Sequence, residues 1–300
     1  SGGDRIFIEL VKRWQLKLNI TLFLSKEGSM ICQHQELENI NQKIWASDLM
    51  TRWGYFADIL YRTTNSITKA FSVKTLPEDI VFSSSDFWPD SFPALILKWR
   101  NPKIVWIAGF YLFAPKPWKK NSPYRGKNFV TGLFYWLGQQ PNYHLTRKFA
   151  DIVFVTSEPD VDKFTTHIRS KDRVIVVRGG VDTISAKKYL NSHDVIPPEK
   201  KTYDACFVGR FHYQKGVLEL IKIWKTVCQK IPQAHLVMIG SGPLDEEVKN
   251  LIKKLDLLKN INIKGFLDGP EKFEIFKQSR VVVHPAIFDS GGMAAAEAMA

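Results

Sequence analysis

The residues best suited to chemistry in this sequence follow a short apolar run near its C-terminal end. The run Tyr203 to Val208 predicts a buried strand, and it leads into Gly209, Arg210 and then Lys215. An amphipathic helix is predicted directly afterwards, from Val217 to Lys230. A helix N-terminus attracts anions, and guanidinium and ammonium groups both bind phosphate. The stretch therefore indicates an anion site, and an ordinary strand–turn–helix with solvated cations is the alternative.

Two further glycine-containing loops follow predicted strands. The first holds Gly240, Gly242 and Pro243 and comes after the apolar run His235 to Ile239. The second begins at Asp289 and opens an alanine-rich helix; its other members are Gly291, Gly292 and Glu297. Glu297 falls in the second turn of that helix, so its side chain can lean back toward the loop.

The elements that must position these loops alternate regularly between strand and helix. Further strands are predicted at Ile261 to Phe266 and Arg280 to His284, with a short helix from Glu271 to Gln278 between them. This alternation is typical of a doubly wound parallel sheet. Ligands of such sheets bind at the carboxyl ends of the strands, where all three loops fall.

Taken together, the three loops resemble the donor-binding half of the retaining GT-B glycosyltransferases of the family-four type, also called glycosyl transferases group 1. That family has a G-R-x-x-x-x-K-G loop, a G-x-G-P loop, and a carboxylate followed by a glutamate across a glycine-containing helix start. All three occur here in that order between Tyr203 and Ala300, whereas the N-terminal two thirds match more loosely. The resemblance implies an α/β protein with the GT-B fold, in which two Rossmann-like, doubly wound domains face a cleft.

The resemblance also implies an activity. It would be transfer of a hexosyl group from a nucleoside diphosphate sugar to a glycan or lipid-linked acceptor, with retention of anomeric configuration, as in polysaccharide biosynthesis. No metal and no other cofactor is expected, because cations of the protein take the metal's place. A sugar-nucleotide epimerase or phosphorylase of the same fold, or a catalytically silent GT-B binding subunit, is the alternative.

The family's roles carry over to individual residues. The leaving diphosphate would be stabilised by Arg210, Lys215 and the amides at the last helix start. Glu297 would hold the ribose hydroxyls, and Asp289, where the family more often has Glu, would face the donor sugar. The implied donor-binding residues are Gly209, Arg210, Lys215, Gly240, Gly242, Pro243, Gly291, Gly292 and Glu297. A helix cap is the alternative for Asp289, and a surface helix position is the alternative for Glu297.

A catalytic base is harder to assign. Many family members carry a histidine in the first domain, but the corresponding stretch Trp106 to Phe110 has none. Asp86 follows a predicted strand, Ile80 to Ser84, and lies on its ligand-facing edge. Asp86 is therefore the second candidate catalytic residue, beside Asp289, through contact with the acceptor. A loop turn or cap is the alternative for Asp86.

The chain is long enough for two domains. We expect a first domain over residues 1–190, a linker over the polar, proline-containing residues 191–201, and an incomplete second domain over residues 202–300. The first domain is predicted to contain helices at Arg5–Leu16 and Ala46–Thr63, and strands at Leu18–Ser25, Ile80–Ser84, Lys103–Ala108, Ile152–Ser157 and Val174–Arg178. The family has a strand before the first helix and further elements after the last, so we expect a fragment of a longer protein.

Charge is distributed unevenly along the chain. Of the net charge of +12, residues before Asn191 carry +10, with 27 basic and 17 acidic side chains. The stretch Pro115 to Lys148 has seven cations, no acids and many aromatic residues. This mixture suits an anionic membrane surface or a lipid-linked acceptor, and a solvated loop with a buried aromatic helix is the alternative. Nucleic acid is a distant third, and we predict none as a partner.

Three scattered cysteines without a C-x-x-C pattern favour a reducing compartment and argue against a disulfide framework or a zinc site. No apolar run is long enough to predict a transmembrane helix. The sequence therefore predicts a cytoplasmic protein, peripheral at the inner face of the membrane if the basic stretch binds lipid.

Overall fold

The structure, a computed structural model, describes residues 2–34, 37, 39–46, 55–181, 183–289 and 291–300. The helices are α1 (Gly2–Trp14), α2 (Lys26–His34), α3 (Tyr55–Ala70), α4 (Trp88–Arg100), α5 (Phe129–Phe149), α6 (Val161–Phe164), α7 (Ile184–Leu190), α8 (Val217–Lys230), α9 (Asp245–Lys254), α10 (Gly269–Lys277) and α11 (Met293–Met299). The strands are β1 (Thr21–Ser25), β2 (Asn41–Ala46), β3 (Ile80–Ser83), β4 (Val105–Gly109), β5 (Ile152–Val155), β6 (Val174–Val176), β7 (Tyr203–Val208), β8 (Leu236–Ile239), β9 (Ile261–Gly265) and β10 (Ser279–Val282).

The chain forms two compact units. The first contains Ser1–Lys116 and Val130–Gly179, and the second contains Pro117–Phe129 and Gly180–Ala300. This division differs from the predicted domains 1–190 and 202–300 in two respects. Residues 180–190, which include α7, group with the second unit. So do residues 117–129, of which Tyr124 and Lys127 contact the loop after β7.

The first unit is built on a parallel sheet in the order β3-β4-β5-β6. On one face α1 packs through Ile6 against Ile107 and Phe154. On the other face Trp106 and Val153 are buried with side chains of α4. Strands β1 and β2 pair with each other in a separate parallel sheet.

Two N-terminal features differ from the predictions. Helix α2 and strand β2 were not predicted from the sequence. The predicted helix Ala46–Thr63 is α3 at Tyr55–Ala70, and residues 47–54 lie outside the described residues.

The second unit contains a parallel sheet in the order β10-β7-β8-β9. Helices α8 and α9 cover one face, burying Ile221, Trp224 and Val248 against the strands. Residues of α10, including Ile275 and Phe276, pack on the other face. The sheet is therefore doubly wound, as predicted. Its strand order reverses between β7 and β10, and this switch point is where such folds bind ligands.

Candidate functional site

The switch point of the second unit brings two of the predicted loops side by side. Because β7 and β10 are adjacent and parallel, with Cys206 opposite Val282, their carboxyl ends open at the same edge. The loop after β7, residues 209–216, holds Arg210 and Lys215; we call it the cation loop. The loop after β10, residues 283–289, ends at Asp289; we call it the acidic loop.

The G-S-G-P loop after β8 packs directly against the cation loop. Gly240 has a φ of 137°, and a Cβ there would overlap the Gly209 carbonyl oxygen. A Cβ at Gly242 would lie 2.5 Å from the Phe211 carbonyl oxygen. The backbone of Phe211 donates to the Ser241 carbonyl at 3.0 Å. These glycines are therefore required for close packing of two loops, and Pro243 lies exposed beside them.

The cation loop is also bonded to the acidic loop. The carbonyl of Gln214 accepts the amides of Ile287 and Phe288 at 2.9 and 3.3 Å. Gly216 has a left-handed backbone with φ of 65°, and a Cβ there would overlap the carbonyl oxygen of Pro285. Only glycine fits both constraints. The α8 helix then begins at Val217, as the sequence predicts.

The side chains of the two loops meet at a carboxylate. Lys215 Nζ lies 2.6 Å from Asp289 Oδ2, and His284 Nε2 lies 3.2 Å from the same oxygen. All three side chains are partly exposed, so the group can be reached by a ligand. The N-cap residue of α11 is Gly292 and not Asp289. This argues against the helix-cap alternative for the Asp289 carboxylate.

Arg210 and His212 complete the cation loop. Arg210 is exposed, and its stem lies against Gly242, whose Cβ would be 3.1 Å from Arg210 Cγ. His212 Nδ1 accepts the amide of Gln214 at 3.3 Å, so a neutral ring carries its hydrogen on Nε2. Burial, together with the charges of Arg210 and Lys215, lowers the pKa of His212. The neutral ring therefore adds a donor, not a third positive charge, to this loop.

Glu297 is buried, which contradicts the alternative of a surface helix position. Its Oε2 lies 2.9 Å from Lys272 Nζ, and both side chains are 6% exposed. Lys272 also contacts Asp268 Oδ1 at 2.8 Å. Sequence reasoning missed Lys272, because nothing in the α10 pattern distinguishes a lysine that turns inward. Gly291 and Gly292 lie immediately before α11, and the φ of Gly292 is 56°.

Asp86 lies in the first unit, after β3, apart from the ten other predicted site residues, all of which lie in the second. Its Oδ2 accepts the side-chain amide of Gln139 at 2.7 Å, and Asn142 donates to its backbone carbonyl. Gln139 Oε1 accepts the amide of Ala114 at 2.7 Å, which fixes the orientation of the Gln139 amide. Burial raises the pKa of Asp86 to about 6, opposed by the Gln139 hydrogen bond and supported by the charge of Asp90.

Within the described residues, no group of three or more His, Cys, Asp or Glu side chains could hold a metal ion. Across the same part of the chain, no helix combines the length and apolar character needed to cross a membrane.

Comparison with known proteins agrees with this geometry. Residues 190–300, the part that holds both loops, match the family model described as glycosyl transferases group 1. Residues 190–300 are therefore similar to glycosyl transferases group 1. The family resemblance drawn from the three loops is thereby confirmed.

Relatives in the curated proteins are glycosyltransferases as well. An uncharacterized glycosyltransferase of Methanocaldococcus jannaschii is 27% identical over 176 residues, covering 57% of this chain and 42% of the relative. Poly(glycerol-phosphate) alpha-glucosyltransferase of Bacillus subtilis is 26% identical over 149 residues, covering 50% of this chain and 21% of the relative. The chain thus spans less than half of the length of either relative.

Solved structures show the same fold. Anabaena HepE in complex with UDP-glucose superposes with a TM-score of 0.61 at 13% identity, covering 99% of this chain and 74% of HepE. Staphylococcus aureus TarM, in complex with UDP and alpha-GlcNAc-glycerol, superposes with a TM-score of 0.56 at 14% identity, covering 79% and 43%. The predicted GT-B fold class is confirmed.

Proposed function

We propose that the protein transfers a hexosyl group from a nucleoside diphosphate sugar to a glycan or lipid-linked acceptor, with retention of anomeric configuration. The observation that carries the proposal is the pairing of Lys215 with Asp289, beside Arg210, at the switch point of the second sheet. This arrangement supplies cations for a diphosphate and a carboxylate for a sugar at one sheet edge. The UDP-glucose bound to HepE, a protein of the same fold, supports this class of donor.

The chemistry follows from the charge that develops when the bond between the sugar and the diphosphate breaks. Lys215 Nζ is held at 2.6 Å by Asp289 and can donate its other hydrogens to a phosphate oxygen. Arg210 offers a planar fork to the same leaving group. The amides of Gly291 and Gly292 are proposed as further donors. Such preorganised donors stabilise the departing diphosphate without a metal.

The remaining roles concern the sugar, the ribose and the acceptor. Asp289 is proposed to accept a hydrogen bond from a hydroxyl of the transferred sugar, and Glu297 to hold the ribose hydroxyls. Asp86 is proposed to contact the acceptor hydroxyl. A carboxylate with a pKa of about 6 is mostly ionised at neutral pH and is a better proton acceptor than an ordinary aspartate. Retention then requires attack from the face that the diphosphate leaves, with a phosphate oxygen assisting.

The acceptor is proposed to be anionic or membrane-associated. All seven cations between Pro115 and Lys148 are exposed. The name of the Bacillus subtilis relative specifies poly(glycerol-phosphate), and TarM was crystallised with a glycerol-linked sugar. Exposed cations would attract such phosphate-bearing acceptors or the anionic lipid around a lipid-linked one.

The test is proton NMR of the reaction with UDP-, GDP- and ADP-hexoses in the presence of a chelator, with glycerol phosphate oligomers as the acceptor. The proposal expects release of a nucleoside diphosphate and a new anomeric signal of the donor's configuration. Inversion would contradict retention, and a requirement for Mn²⁺ or Mg²⁺ would contradict the metal-free mechanism. Formation of a sugar 1-phosphate or an isomerised nucleotide sugar would favour the phosphorylase or epimerase alternative. Nucleotide binding without turnover would favour the silent subunit.

A further inference from the structure

A segment of the chain that is remote in sequence forms part of the cation loop's surroundings. Residues 117–129, which we call the strap, interrupt the first unit in sequence yet belong to the second. Within the strap Tyr124 is buried, being 5% exposed, although the residues on its C-terminal side, Arg125 to Lys127, are exposed. A buried tyrosine next to exposed basic residues indicates that it anchors the segment through its ring and hydroxyl.

The anchor contacts the cation loop directly. The hydroxyl of Tyr124 accepts a hydrogen bond from Gln214 Nε2 at 3.2 Å, and its ring meets the ring of His212 edge-on. Lys127 adds a second attachment. Its Nζ lies 3.0 Å from Glu247 Oε1 and 5.7 Å from the centre of the Tyr213 ring. The strap therefore covers His212, Tyr213 and Gln214, the three residues before Lys215.

Gln214 connects this contact to the acidic loop. Its amide donates to His212 Nδ1, its carbonyl accepts the amides of Ile287 and Phe288, and its side chain donates to Tyr124. Lys215 and Asp289, whose side chains form the ion pair, are the immediate sequence neighbours of Gln214 and Phe288. The Gln214 peptide thus links the two backbone segments that carry these charged side chains.

We propose that Tyr124 and Gln214 are positioning residues that hold Lys215 and Asp289 in place for the donor's diphosphate, which makes Tyr124, but not the lysines at the start of the strap, a part of the donor site. The proposal deepens the proposed function and rests on it. A residue that positions the cation loop affects how tightly the protein binds the two phosphates of the ligand. It leaves binding of the remaining nucleotide unchanged. The ratio of affinities for a nucleoside diphosphate and its monophosphate measures this effect.

The experiment determines that ratio by titration calorimetry for UDP and UMP, GDP and GMP, and ADP and AMP. The variants are Tyr124→Phe, Gln214→Met and their combination, with Asn121→Ala as an exposed control in the same strap. Each single variant is expected to weaken diphosphate binding about five- to tenfold, as for a lost hydrogen bond, and monophosphate binding less than twofold. Both single variants remove the same hydrogen bond, the one between Gln214 and Tyr124. The double variant is therefore expected to bind the diphosphate as weakly as either single variant does.

An unchanged ratio in both single variants overturns the proposal, and so does a double variant whose loss is the product of the two single losses. Hydrogen exchange of the wild-type protein provides a measurement that does not depend on the folding of a variant. Exchange of the strap amides is expected to slow with the diphosphate more than with the monophosphate, and equal exchange would also overturn the proposal. If the wild-type protein binds none of the diphosphates, both the proposed function and the positioning role fail. If it binds one of them and the ratio is unchanged in the variants, only the positioning role fails.

Discussion

The ammonium of Lys215 lies 2.6 Å from Asp289 Oδ2, although 74 residues separate the two in sequence. The pair joins the loops at the carboxyl ends of β7 and β10, where the strand order of the second sheet reverses. Under the proposed function this lysine has two possible partners. When the diphosphate binds, its oxygens share the ammonium with the carboxylate, and Asp289 becomes available to the sugar.

The first prediction concerns the two cations. Arg210→Ala and Lys215→Ala should each weaken use of the donor by about 1.5–3 kcal/mol, because each removes a charge-assisted hydrogen bond to phosphate. The measurement is kcat/KM for the nucleotide sugar. Lys222→Ala is the matched control, since Lys222 is an exposed cation of α8 outside the loop. Wild-type donor kinetics in both loop variants would refute their assignment to the phosphates.

The second prediction separates binding from transfer at Asp289. Asp289→Asn should retain or improve the affinity for a nucleoside diphosphate, because the variant removes a negative charge that competes with phosphate for Lys215. Transfer should fall by about a hundredfold or more, as when an essential polar contact of a transition state is lost. Asp289→Glu, the residue more usual in the family, should retain part of the transfer. Equal losses of diphosphate affinity and transfer in the Asn variant would argue against a role at the sugar.

The third prediction is a pH dependence that originates in the first unit. Burial raises the pKa of Asp86 from 3.8 to about 6, so the folded state retains a proton that the unfolded state releases between these values. The resulting stabilisation is complete below about pH 4 and is lost as the pH rises through about 6, amounting to about 2–3 kcal/mol. Asp86→Asn should remove this contribution to urea-unfolding free energies measured from pH 4 to 7.

The rate of transfer should change with the ionisation of Asp86 in the opposite direction to the stability. Because the proposed acceptor contact requires ionised Asp86, the rate should rise as the pH increases through about 6 and then level off. The Asn variant should lack this limb and bind the nucleotide normally. If wild type and variant give the same profile, Asp86 has no part in acceptor activation.

The fourth prediction concerns the buried pair of Lys272 and Glu297. Lys272→Met should lower the free energy of unfolding by about 3–5 kcal/mol, because it leaves a buried carboxylate without its cation. Combining it with Glu297→Gln should recover part of the loss. Chemical denaturation of the two variants measures the difference. A double variant less stable than the single one would show that the pair does not act as a unit.

The fifth prediction addresses the basic strap and the residue before it. Vesicles containing acidic lipid should bind the protein at low salt, and high salt should release it, at about 1 kcal/mol for each cation near the surface. Changing Lys116, Lys119 and Lys120 to Glu should reduce this binding while preserving the affinity for nucleoside diphosphates. Cosedimentation measures the first quantity and calorimetry the second. Binding that is independent of lipid charge would leave a soluble acceptor as the better interpretation.

The sequence predicts the second unit well because its elements are locally determined. Strand β8 is a short apolar run followed by glycine, β7 is mostly apolar, β9 alternates apolar and polar residues, and α8 begins at Val217 and ends at Lys230 as its pattern indicates. The three loops at the sheet edge could be located for the same reason. Their contacts could not, because the pairing of Lys215 with Asp289 depends on the strand order, which sequence periodicity does not specify.

Features that depend on contacts between remote segments were missed. Tyr124 reaches Gln214 across 90 residues, and no local pattern indicates that the strap packs on the second unit. In the sequence, Lys272 cannot be distinguished from a solvated lysine of a surface helix, and only the fold places it beside Glu297. Helix α2 and strand β2 were missed for a different reason: their sequences are largely polar, and their apolar periodicity is weak.

The most direct test of the central claim, a donor site at the junction of β7 and β10, is a thermal-shift titration with UDP-, GDP- and ADP-glucose in the presence of a chelator. The account predicts that at least one of these nucleotide sugars raises the melting temperature of the wild-type protein in a concentration-dependent manner. The shift should be strongly reduced in Lys215→Ala and retained in Lys222→Ala. No shift with any of the three, or an equal shift in Lys215→Ala, would contradict it.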